Sequence, residues 1–105
     1  MYTYQFSKIL DIREQEKLQT EIAYKDSVKL FEEVATKLYE MLKRKEDLIA
    51  YQNERLTGGA SIDEVTHYAN FINSLEKTIE DLQRKVTQAR VKMNWHEEKK
   101  HKKNK

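Results

Sequence analysis

Residues 55–65 read RLTGGASIDEV, and they hold both glycines of a 105-residue chain that contains no proline. A glycine inside a helix costs about 1 kcal/mol relative to alanine, whereas at a chain reversal it is cheap. The pair Gly58-Gly59 therefore marks a break between two helices. Ser61-Ile62-Asp63-Glu64 follows as an S-x-x-E capping box. Its serine oxygen is placed to accept the N–H of Glu64, and its glutamate to reach back. Asp63 adds negative charge in a first turn, where the helix dipole favours it. One helix ends near Leu56 and the next starts at Ser61.

On the far side of this turn, Ile72, Leu75, Ile79, Leu82, Val86, Ala89 and Met93 are spaced alternately three and four apart. That is the seam of a seven-residue coiled-coil repeat. The near side carries Tyr24, Val28, Phe31, Ala35, Leu38 and Leu42 at the same period, with Lys45 interrupting before Ile49. A stripe of this width needs one apolar partner. Folding at the glycines supplies it if paired numbers sum to about 117, which sets large residues against small in two layers. Tyr24 then meets Met93, Val28 meets Ala89, Phe31 meets Val86, Ala35 meets Leu82, Leu38 meets Ile79 and Leu42 meets Leu75. The expected fold class is all-α: a long two-helix antiparallel coiled-coil hairpin. It reads as a single domain over 1–105, with helices over about 3–56 and about 62–100, a turn at 57–61 and a basic tail to 105.

The same arithmetic leaves residues 2–20 without partners. The last ten residues, HEEKKHKKNK, hold no large apolar side chain, while Tyr2, Tyr4, Phe6, Ile9, Leu10 and Ile12 wait at the other end. Such a segment seldom stays bare in water. Three expectations follow: a longer natural chain, a second protein bound there, or self-association through residues 2–20.

Composition narrows the function classes. Charged residues make up 36% of the chain with a net charge of only +2, so the overall balance does not call for nucleic acid. There is no cysteine, hence no disulfide framework. No run approaches the roughly 20 apolar residues of a membrane span. MYTYQFSKIL lacks the charged and apolar regions of a secretory signal, which points to the cytoplasm. His67, His96 and His101 lack metal-ligand spacing, and the glycine pair lacks the lysine of a phosphate loop. A coiled coil offers no cleft in which carboxylates could be tuned. No cofactor, metal or enzymatic activity is expected.

The tail Lys99–Lys105 has the charge to touch phosphates or an acidic protein or lipid surface, but it has no interleaved aromatics and Glu97-Glu98 dilute it. A further surplus lies near the turn. Leu48 and Tyr51 lie off the first seam, and Tyr68 and Phe71 lie beside the second. These residues either widen the core where the hairpin tip is short or form a docking patch.

YQFSKILDIREQEK at the start, LIAYQNER (48–55) and HYANFINSLEKTIEDL (67–82) resemble, in order, segments of the FliJ family of the flagellar type III export apparatus. Tyr51-Gln52-Asn53-Glu54 and Tyr68, Phe71 and Ile72 carry the resemblance, because heptad geometry does not demand these residues apart from Ile72. The resemblance implies a non-enzymatic, stalk-like antiparallel coiled coil that couples the export ATPase hexamer to the cytoplasmic domain of the membrane export gate. It also implies an escort role toward export chaperones, and a cytoplasmic location peripherally associated with the membrane export apparatus. On it, the gate-facing residues near the tip are Leu48, Tyr51, Tyr68, Phe71 and Leu75. The ATPase-facing residues at the termini are Tyr4, Phe6, Ile9, Leu10 and Arg13. Arg55, Thr78 and Leu82 depart from residues that some members carry, and members usually continue well beyond the equivalent of Lys105. An unrelated coiled-coil spacer or homo-oligomeric scaffold is the competing reading. A tRNA-binding helical arm would need basic residues along its length, where Lys and Glu are interspersed instead.

Overall fold

The computed structural model describes the backbone from residue 2 to 104 and the side-chain surroundings from residue 5 to 101. It contains two helices, α1 (Tyr2–Thr57) and α2 (Ile62–Asn104), joined by a four-residue turn and running antiparallel as a coiled-coil hairpin. Helix α2 passes the expected limit near residue 100 because no glycine or proline follows, and lysines suit the negative end of a helix dipole.

The turn is built by α1's own C-terminus. Ala60 N–H donates to the Arg55 carbonyl at 2.9 Å and Gly59 N–H to the Leu56 carbonyl at 3.3 Å, the paired bonds of a Schellman motif. The motif requires a left-handed residue, and Gly59 provides it at φ +88°. Across the turn, Glu64 N–H donates to Ser61 Oγ at 3.3 Å, which caps α2. The reciprocal half of the capping box is replaced. Arg55 takes the Glu64 carboxylate in a two-pronged pair, Nε–Oε1 2.8 Å and Nη2–Oε2 3.0 Å.

Packing falls into two compact units, a turn unit of residues 33–87 and a termini unit of residues 1–32 with 88–105. In the turn unit Ile72, Leu75, Ile79, Leu82 and Val86 are buried as the spacing predicts. Each such side chain withdrawn from water stabilises the hairpin by about 1.5–3 kcal/mol. The α1 side differs from expectation. Val34, Leu38, Met41, Lys45, Leu48 and Gln52 face inward half-buried, while Leu42 and Ile49 stay 38% exposed. Lys45 does not interrupt the seam but sits in it, its Nζ 3.3 Å from the Glu76 carboxylate. In the termini unit Ala89 is buried, and Tyr24, Val28, Phe31 and Met93 are half-buried. Ser27 is buried too, its hydroxyl satisfied by donation to the Tyr24 carbonyl at 2.6 Å.

Contacts between the helices fall at the expected sum of 117 or beyond it. In the turn unit Gln52–Val65 falls at 117, Tyr51–Tyr68 and Arg55–Glu64 at 119, and Lys45–Glu76 at 121. In the termini unit Phe31–Arg90 and Tyr24–Lys100 fall at 121 and 124. Helical side chains lean toward their own N-terminus, so in an antiparallel pair both leans raise the sum at which tips meet.

Candidate interaction surfaces

Near the turn, Leu48 and Tyr51 stand one helical turn apart on α1, and Tyr68, Phe71 and Leu75 follow one another on one face of α2. The Tyr51 and Tyr68 rings meet edge to face, centroids 5.4 Å apart at 75°, which joins the two rows. His67 approaches Tyr68 at 6.0 Å. Leu75 is buried and Leu48 and Tyr68 are half-buried, whereas Tyr51 and Phe71 are 45% and 47% exposed. The rings thus divide. The inner residues complete the core and the outer two meet solvent.

The Arg55–Glu64 pair stands next to this cluster. Hydrogen bonding to Arg55 holds the Glu64 carboxyl below the ordinary carboxylate range, and Glu64 in turn raises the Arg55 guanidinium. The Tyr68 phenol is raised, first by the Tyr51 hydroxyl and then by burial. The two hydroxyls form no well-aligned hydrogen bond, so the ring contact is what joins these residues. Arg55 and Glu64 are tip residues that sequence reasoning missed as a pair. Opposite charges nine positions apart across a glycine turn were the available signal.

In the termini unit Phe6, Ile9, Leu10 and Arg13 are all exposed on α1, and Tyr4 lies outside the residues whose side chains are described. Leu10 and Arg13 line a shallow groove of about 400 Å³ with Glu14, Glu16 and Lys17. Ile12, Leu18 and Ile22 continue the exposed apolar residues along the helix. Among the described residues no cluster of three histidine or acidic side chains could hold a metal ion. No helix there is long and apolar enough to cross a membrane.

A sequence model of the family described as "Flagellar FliJ protein" matches residues 2–105. The flagellar FliJ protein of Bacillus subtilis (strain 168) is 39% identical over 97 residues, covering 92% of this chain and 66% of its own length. The chain therefore spans just under two thirds of that relative. No solved structure matches. With the family match running through both helices and the turn, the chain belongs to the FliJ family of flagellar proteins.

Proposed function

We propose that this chain is a non-enzymatic component of flagellar protein export that couples the export ATPase to the cytoplasmic domain of the membrane export gate. In this reading the face around Tyr51 and Phe71 docks on the gate, with Leu48, Tyr68 and Leu75 supporting it from within. Residues Tyr4, Phe6, Ile9, Leu10 and Arg13 meet the ATPase hexamer. Export chaperones are escorted, and the protein works in the cytoplasm beside the membrane export apparatus.

The observation that carries the gate surface is the division of its rings. Tyr51 and Phe71 are about half exposed on a base of half-buried and buried neighbours, the arrangement of an aromatic anchor held ready by its own core. Such anchors carry about 2 kcal/mol or more of an interface when buried by a partner.

The test is paired binding to purified gate domain and ATPase. Tyr51→Ala/Phe71→Ala is expected to weaken the gate roughly thirtyfold or more and to spare the ATPase. Phe6→Ala/Leu10→Ala is expected to do the reverse, with circular dichroism checking that both variants stay helical. Normal gate binding by the tip variant, together with a melting loss like that of a seam mutant, would make the rings packing residues only. Self-association lost in the Phe6/Leu10 variant with no ATPase contact in either protein would favour the homo-oligomeric scaffold.

A further inference from the structure

Charge in this chain is segregated at one place. Between Arg90 and Lys105 there are seven lysines and arginines against two carboxylates, Glu97 and Glu98. Of the chain's 20 basic and 18 acidic residues, the remaining 13 and 16 are interspersed elsewhere. Among the described residues Arg90, Lys92, Lys99 and Lys100, like most cations of the chain, have no carboxylate within 4.0 Å. Three of these unpaired cations rest over aromatic rings instead: Arg90 over Phe31, Lys100 over Tyr24 and Lys99 over Trp95.

Trp95 and Val91 add an apolar component. They lie four residues apart on one face of α2, away from the seam, and are 51% and 64% exposed. The Lys99 ammonium stands 4.2 Å from the centre of the Trp95 ring. We propose that this segment of α2 docks on the surface of an anionic lipid bilayer, with Trp95 at headgroup depth and the surrounding lysines against lipid phosphates and carboxylates.

Tryptophan favours the interface because its ring is apolar with one polar edge, and lysine keeps its charge in the headgroup layer while its stem lies on apolar surface. The stacked Lys99–Trp95 pair already has that order. Lys99 covers one face of the Trp95 ring and the segment carries no second Phe, Tyr or Trp on which successive bases could stack, so the lipid surface fits better than a nucleic acid. Clustered lysines on a helix gain from the negative potential of anionic lipid and lose the gain with salt.

Trp95 is the chain's single tryptophan, so its emission reports this contact alone. The whole chain is titrated with vesicles of phosphatidylcholine and of phosphatidylcholine with phosphatidylserine, followed by fluorescence and co-sedimentation. A blue shift and co-sedimentation are expected with the anionic vesicles alone, both fading as salt rises. Lys92→Gln/Lys99→Gln is expected to weaken binding roughly tenfold or more, and Trp95→Ala to weaken co-sedimentation, each with unchanged helicity. No response to either vesicle, an equal response to both, full binding by the lysine variant, or tighter binding to duplex DNA or RNA at equal phosphate concentration overturns the proposal. The vesicles contain no protein, so each outcome is independent of the coupling role above.

Discussion

Gly58 and Gly59 stand side by side but answer different needs. Gly59 sits at φ +88°, where a Cβ strains the backbone even though nothing lies within 4 Å of it. Gly58 has no such φ, and a Cβ there would rest 3.5 Å from the Glu54 carbonyl, an ordinary contact. Gly59→Ala is therefore expected to cost about 1–2 kcal/mol, and Gly58→Ala to be neutral or stabilising by up to about 1 kcal/mol. Thermal melts of the two variants decide it, and equal losses would contradict the assignment. Glu64 makes a second test. Its carboxyl is held below the ordinary value by Arg55, so the pair's contribution is present above the unfolded carboxylate pKa of about 4.3 and is lost as pH falls through the lower folded value. Melting temperature followed downward from neutral pH should show Glu64→Gln losing stability relative to the parent at neutral pH, with the gap narrowing in acid. A constant gap would mean the charge does not matter. Salt should narrow the gap too, because both partners meet solvent.

At the level of the helices, α2 was readable and α1 only partly so. From Ile72 to Ala89 each seam position of α2 has polar neighbours that cannot compete for the core, Phe71 excepted, and the burial follows the spacing. Helix α1 offers two candidates at each crossing near the turn, Met41 or Leu42 and Leu48 or Ile49. Apolar spacing cannot choose between adjacent residues of like hydrophobicity. The choice is made by contacts between the helices. Tyr51 reaches Tyr68 and Arg55 reaches Glu64 only when the face bearing Leu48 turns inward. Leu48→Ala should accordingly cost about 1–3 kcal/mol and Ile49→Ala about 1 kcal/mol or less, measured by urea denaturation. The reverse ranking would restore the seam read from spacing alone. The candidate docking residues were legible as an off-seam aromatic surplus, but their division into inner and outer rings was not, since that depends on the same rotation of α1.

Across the molecule, the helix–helix contacts span very unequal stretches of chain. Arg55–Glu64 and Gln52–Val65 close over 9 and 13 residues, while Tyr24 and Lys100 are 76 residues apart in sequence. Each doubling of a loop adds roughly 0.6 kcal/mol to the entropy of closing it, so the hairpin forms most readily at the turn and zips away from it. Synthesis runs the other way. All of α1 is made before the first residue of α2, and its inward face then has nothing to cover it. At about 5–20 residues per second, Tyr24 waits roughly 4–15 seconds for Lys100 to be added. On the ribosome, then, the earliest-made paired residues of α1 are the last to be sheltered. Its seam residues are open to capture by a holding chaperone throughout that delay, and the tip closes first.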